Sequence, residues 1–254
     1  DELVVVADAP LSRLPWALLR GPDGRRLVES HVLRRELSGS LRVELEGRRR
    51  ALSPPRLLVA AYEGGAEAAA LGLAPLAGAL GEAEDLARLD PSAVLLTGAS
   101  ATAEAVGEAL PGITLLHLAC HAGLDRLGTP YLLLAPGGEE AGLVGVEQVE
   151  SWPLAGVDLV TLAGCRTARL GAATGHGDLS AVGAAFLAGG VRRLIASLWV
   201  VEDEPTRRLM RSFYARLLQE GLEPAQALRR AQLELAGRDG VLERDWGGFC
   251  AFGP

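Results

Sequence analysis

From residue 57 onward the chain alternates short apolar runs with amphipathic stretches, and this alternation restricts the possible folds more than any other feature. Leu57 to Tyr62, Ala93 to Leu96, Ile113 to Cys120, Tyr131 to Leu134, Leu159 to Ala163 and Val191 to Leu198 read as strands. They are nearly continuous in apolar residues, the pattern of strands covered on both faces. Between them, Leu80 to Leu89, Thr102 to Leu110, Gly145 to Ser151 and Asp178 to Ala188 read as helices, the last opened by Asp178 as an N-cap. Two longer amphipathic helices follow, Pro205 to Gln219 and Pro224 to Ala236, each with a proline in its first turn. Trp246 to Phe252 closes the chain as a strand. The pattern predicts an α/β/α sandwich with a mostly parallel central sheet.

The front of the chain reads differently. Val4 to Ala7, Arg26 to Ser30 and Leu41 to Leu45 look like short strands, with Gly21-Pro22-Asp23-Gly24 as a turn. Arg48 to Arg50 and then Pro54-Pro55 mark a loop. We therefore expect a strand-rich N-terminal appendage over residues 1–50 and a core over 51–254, together one domain. With 254 residues, 49% of them hydrophobic, the chain buries a large core, which excludes intrinsic disorder.

The formal net charge is −7, and all 25 basic residues are arginine. An acidic balance argues against nucleic acid or an anionic membrane as partner. Three cysteines, an odd number, point to a reducing compartment, so a cytoplasmic location is expected. The longest uncharged stretch, Ala109 to Leu124, holds Pro111 and two histidines and is too short to span a bilayer. No basic-then-apolar run reads as a signal peptide. The chain starts at Asp1 just before an apolar run, which suggests excision from a longer protein.

In a parallel sheet, sites form where loops leave the C-terminal ends of strands. One such end delivers His121 into Ala122-Gly123-Leu124, and another delivers Cys165 into the loop Arg166 to Gly177. A thiol beside an imidazole is the minimal nucleophile-and-base pair. The histidine precedes the cysteine by 44 positions, close to the caspase spacing of about 50 and opposite in order to papain-like proteases. Against this, Cys165 at a strand end also fits a small buried core residue. His117 reads as a core histidine bonded to backbone, on the same face as His121 but deeper. Cys120 points to the other face and packs, Cys250 sits in a core strand, and His176 lies solvated in a Gly-rich loop. A zinc site from His117, Cys120, His121, Cys165 and His176 is disfavoured, because strand alternation separates Cys120 from the histidines and no Cys-x-x-Cys exists. No glycine pattern matches a phosphate-binding loop. The arginines at 207, 208, 211, 229 and 230 read as solvated helix faces.

The motifs then resemble the CHAT domain, a bacterial caspase-like peptidase module related to separases, caspases and gingipains. The resemblance rests on His117-Leu118-Ala119-Cys120-His121-Ala122, Leu162-Ala163-Gly164-Cys165-Arg166-Thr167 and Ser197-Leu198-Trp199-Val200-Val201-Glu202-Asp203. Leu209 to Tyr214, Ala225 to Gln232 and Trp246 to Phe252 extend it, and Asp8 to Leu11, Leu14-Pro15, Glu82 to Leu86 and Gly98 to Thr102 carry it to the front. Two departures occur: Ala122 stands where the family usually has glycine, and Ala163-Gly164 replaces Ser-Ala before the cysteine.

The resemblance implies a His121–Cys165 catalytic dyad that needs no metal or cofactor, with backbone N–H groups near Ala122, Gly123 and Cys165 holding the oxyanion. It further implies a cysteine endopeptidase acting on specific proteins and gated by a tetratricopeptide-repeat or other sensor region, with Arg169 to Gly177 as the element a partner orders. The alternative is a catalytically silent scaffold of the same fold. The exit after Val191 to Leu198 places Trp199 and Asp203 as candidate substrate-binding residues. An acid there selects arginine or lysine before the cut, whereas a pocket built on Trp199 is apolar. Asp203 or Glu204 also suits the simpler role of capping the helix opened by Pro205.

Overall fold

The computed structural model describes residues 1–7, 11–48, 54–138, 142–163 and 181–254. The N-terminal part runs β1 (Glu2–Val6), α1 (Leu27–Ser30), β2 (Val32–Glu36) and α2 (Gly39–Gly47). Next come β3 (Leu57–Ala61), α3 (Ala66–Ala70), α4 (Ala77–Leu89), β4 (Val94–Thr97), α5 (Ala103–Ala109) and β5 (Leu115–Ala119). A hairpin and short strand follow, β6 (His121–Leu124), β7 (Pro130–Leu133) and β8 (Leu143–Val144), then α6 (Val146–Ser151) and β9 (Leu159–Leu162). The last part is α7 (Ala181–Ala188), β10 (Arg193–Ser197), α8 (Asp203–Leu218), α9 (Pro224–Ala236), α10 (Glu243–Trp246) and β11 (Phe249–Phe252).

Eight strands form one sheet in the order β1-β2-β11-β10-β9-β5-β3-β4. β4, β3, β5, β9 and β10 are parallel, so their C-terminal ends share one edge. β11 runs against β10, and β2 and β1 follow the direction of β11. Every residue of β3 and β5 is buried, because alternate side chains enter two separate cores. Leu58, Ala60, Leu116 and Leu118 face Val106, Val149 and Phe186 of α5, α6 and α7. Leu57, Val59, Ala61, Leu115 and Ala119 face Leu86, Phe213 and Leu228 of α4, α8 and α9. Helices thus cover both faces, and the sheet could not be exposed on either without losing about 1.5–3 kcal/mol per leucine. The expected α/β/α sandwich with a mostly parallel sheet is the observed one.

Local departures have physical causes. Leu41 to Leu45 alternates like a strand, but Leu41 and Leu45 also stand at helical spacing, and the Ser38 side chain accepts the Leu41 N–H as an N-cap. The segment is α2. Arg26 to Ser30 is likewise helical, as α1, and the strand begins at Val32. The N-terminal segment therefore supplies two strands to the sheet edge, and the division expected at residue 50 falls outside the described residues. Trp246 to Phe252 splits into α10 and β11 around Gly247-Gly248. Tyr131 to Leu134 does form a strand, β7, but in a separate antiparallel sheet ordered β6-β7-β8. Its turn is closed by Asp125, whose Oδ1 accepts the N–H groups of Leu127 and Thr129.

Several arginines expected to be solvated tie elements together instead. Arg207 binds Asp85 of α4 through Nε at 2.6 Å, and Arg229 donates to the carbonyls of Val28 and Glu29. At the opposite edge of the sheet, Asp158 holds Arg192 and Arg193 at 3.0 and 2.6 Å. No helix among the described residues is long and apolar enough to cross a membrane.

Candidate active site

Strand β5 ends at Ala119 and the chain turns at Cys120 to begin β6 with His121. The side chain of His121 is buried. The backbone of Ala74 acts on its ring and favours the charged form, and its buried Nε2 has no hydrogen-bond partner among the described residues. Burial pushes His121 below its ordinary 6.5, while the Ala74 carbonyl and the charge of Asp203 pull the other way. Burial thus favours the neutral imidazole, the form that can take a proton.

The segment that positions Ala74 leaves β3 at Tyr62, whose N–H donates to Ala119 O at 2.9 Å. Leu76 N–H then returns to Glu63 O at 2.8 Å. Between them Gly64, at φ +97°, lets the backbone approach the ring. A Cβ there would lie 3.5 Å from His121 Nε2 and 2.7 Å from the Ala68 Cβ.

β9 lies beside β5, and Ala163 N–H donates to Leu118 O at 3.0 Å. The strand leading to Cys165 and the strand leading to His121 therefore end at one edge, side by side. Cys165 itself, His176, the N-cap Asp178 and the loop Arg169 to Gly177 lie outside the described residues. Ala122 and Gly123, expected in a loop, are residues of β6, paired with Leu132 and Tyr131 of β7. An antiparallel ladder sends alternate N–H groups to the neighbour, so one of these two amides is turned to the open edge of β6.

Trp199 follows β10. Its Nε1 donates to Arg244 O at 2.7 Å, and its ring rests against Gly248, where a Cβ would come within 2.6 Å. Asp203 opens α8, and its Oδ2 accepts the Gly78 N–H at 3.1 Å in the first turn of α4. It caps the neighbouring helix, not its own. Cys120 is buried as expected, and burial pushes its thiol up to about 12. Cys250 is half-buried, with its sulfur 3.4 Å from the Arg35 guanidinium.

The expectation for His117 needs correction. Its fully buried ring meets a carboxylate, not backbone: Nε2 stands 2.8 Å from Glu82 Oε1 of α4. The contact is off the line of a well-formed hydrogen bond. Tyr214 packs edge-on to the ring at 5.3 Å and donates to Thr161 Oγ1 at 3.0 Å. The sequence marks Glu82 only as the start of a family-like segment, and Ala74 not at all. Glu82 shared a charged helix face with exposed residues, and Ala74 acts through a backbone atom. Among the described residues no three His, Cys, Asp or Glu side chains gather as metal ligands.

The sheet is open and mostly parallel between two helical layers, with a buried histidine where one of a central strand pair ends. The chain belongs to the CHAT domain family, which it matches over residues 1–254. In structure it is similar to the Arg-specific cysteine proteinase gingipain R (RGPB), at TM-score 0.62 and 12% identity, covering 98% of this chain and 58% of that one. The complex of Porphyromonas gingivalis RgpB pro- and mature domains matches at TM-score 0.56 and 13% identity, over 88% of this chain and 55% of that one. Separase in the Saccharomyces cerevisiae separase–securin complex matches at TM-score 0.65 and 13% identity, over 100% of this chain and 15% of that one. The chain thus spans less than two thirds of each of these proteins. Comparison with proteins of curated function returns no match.

Proposed function

We propose that this CHAT domain is a cysteine endopeptidase in which Cys165 is the nucleophile and His121 the base. The observation that carries the reading is His121: a buried imidazole held below its ordinary range, its Nε2 without a partner among the described residues, and the strand that leads to Cys165 alongside. In the first step Nε2 takes the Cys165 proton, Sγ bonds to the scissile carbonyl carbon, and the oxyanion is held by backbone N–H groups from Ala122 or Gly123 and from Cys165. The C–N bond then breaks as Nε2 returns the proton to the leaving amine, and water hydrolyses the thioester with His121 again as base. No step calls for a cofactor.

The pocket at this edge, bounded by Ala119, Ala163, Val201 and Asp203, measures about 20 Å³, room for roughly one water molecule. In this reading a partner, such as a tetratricopeptide-repeat or other sensor region, gates the site, and the substrates are proteins of the cytoplasm. Asp203 at its wall favours a basic residue before the cut, with Trp199 bounding the site on the β11 side.

The test compares newly formed protein N-termini in cells carrying the full-length protein or its Cys165→Ala variant, with and without the activating partner. Cuts that disappear in the variant support the reading. Cleavage that survives Cys165→Ala at full rate overturns it, and N-termini that never depend on Cys165 favour the silent scaffold.

A further inference from the structure

Helices α4, α8 and α9 border a groove of about 500 Å³. It follows α8 from Glu204 to Arg216, a length of about 18 Å. Five arginines and three carboxylates line it, on a chain whose formal net charge is −7. The carboxylates are all engaged. Asp85 is held by Arg207 through two bonds, at 2.6 and 3.1 Å, and Glu204 meets Arg208 at 2.7 Å. Glu234 accepts the Ser212 hydroxyl at 2.6 Å and binds both Arg216 and Arg238. Two guanidinium groups keep unused donors. Arg211 is exposed and has no carboxylate within ion-pair distance among the described residues; its charge reaches Asp85 only at longer range, behind Arg207 and Arg88. It stands four residues after Arg207 and three after Arg208, where like charges on a helix repel. In Arg216, Nε is buried and has no acceptor among the described residues, an arrangement costly to the fold.

We propose that this groove is a docking site for an acidic segment of a partner polypeptide, whose Asp and Glu carboxylates pair with Arg211 and with Nε of Arg216. A guanidinium presents its N–H groups as a fork that matches a carboxylate. A cationic ligand finds no open carboxylate here, since arginine holds all three. The charge pattern also favours a peptide over a nucleic acid. Glu204, Asp85 and Glu234 interrupt the positive charge along the groove, so a continuous run of phosphates meets repulsion at each of them. Peptide carboxylates fall at intervals and meet only the arginines left over. Docking of this kind does not depend on Cys165 or on cleavage. Glu204 directly follows Asp203, which lines the pocket at the His121 edge, so a docked partner lies beside that edge.

The test titrates the full-length protein into a fluorescently labelled peptide of alternating Glu and Ser and follows its anisotropy, with the Gln-and-Ser peptide as comparison. Saturable binding is expected for the Glu peptide, about tenfold or more tighter than for the Gln peptide and weaker as salt is raised. Arg211→Gln is expected to weaken the Glu peptide by about threefold to tenfold. Arg216→Lys keeps the charge on Glu234 but lacks the Nε donor, and is expected to weaken it by about as much. Arg126→Gln, which removes an exposed arginine on the β6–β7 turn, should leave the affinity unchanged. Thermal unfolding checks that the variants are folded. Equal affinity for the two peptides overturns the proposal, as does wild-type affinity in either groove variant. An equal loss in Arg126→Gln assigns the binding to general surface charge and overturns it too. So does the absence of saturable binding, or tighter binding of a single-stranded oligonucleotide of the same charge.

Discussion

The imidazole of His121 lies under the influence of the Ala74 backbone, and its Nε2 is buried with no hydrogen-bond partner among the described residues. Burial holds the ring below 6.5 against the pull of that backbone. The base therefore stays neutral into mildly acid solution. Profiles of kcat/KM against pH should keep their plateau to below about pH 6.5 and fall only on the acid side of it. Asp203 favours the imidazolium, so Asp203→Asn should move that limb to still lower pH; a shift toward neutrality would contradict the assignment.

The three thiols should separate by reactivity. Cys120 is buried, and its thiol is pushed up to about 12, so it should resist iodoacetamide until the protein unfolds. Cys250 is half-buried and should react slowly. Cys165, if paired with His121, should be modified first at neutral pH, and His121→Ala should remove that lead. Peptide mass spectrometry after timed alkylation reads the order directly.

Gly78 makes the α4–α8 junction possible. A Cβ there would lie 2.6 Å from Asp203 Cβ and 3.3 Å from its Cα, and neither is the free end of a flexible chain. Gly78→Ala should destabilise the fold by about 1–3 kcal/mol, seen as a lower Tm. Gly39→Ala, where nothing lies within 4 Å, is the matched control and should leave Tm unchanged or slightly raised.

Glu36 at the end of β2 is buried, and burial raises its carboxyl from 4.5 to about 7 despite Arg42 and Arg34. Below about pH 4.5 both folded and unfolded states hold the proton, and Glu36 adds no pH dependence. As pH rises from 4.5 to 7 the unfolded chain releases its proton first, so stability falls, and above 7 the full penalty stands. Glu36→Gln should therefore stabilise the protein by about 1–3 kcal/mol near pH 8.5 and not at all near pH 4.5. Chemical denaturation at the two pH values measures both ends.

The sandwich was readable because β3, β5, β9 and β10 are near-continuous apolar runs, and helices such as Pro224–Ala236 carry their own start signals. Leu41 to Leu45 misled because five residues satisfy a period of two and of four at once, and the deciding Ser38 cap lies outside them. The pairing of β6 with β7 was hidden for a different reason. His121 to Leu124 has little apolar character, and its strand conformation comes from a partner across the Asp125 turn. At the site, His121, Trp199 and Asp203 were visible as side chains with chemistry. Ala74 was not, since an alanine carries no mark of what its carbonyl holds, and the Glu82–His117 contact joins residues 35 positions apart on elements whose facing could not be read from either alone.

The reversal of strand direction at β11 decides where attachments to this chain emerge. β1 runs with β2 and β11 and against β10, so residue 1 lies on the edge of the sheet that carries His121, and Pro254 leaves from the opposite edge. Residue 1 is also displaced along that edge by the five strand spacings from β1 to β5, about 24 Å. An affinity tag or fluorescent reporter fused at residue 1 shares a rim with arriving polypeptides and competes with them for space. The same fusion at residue 254 hangs beneath the sheet and leaves that rim clear.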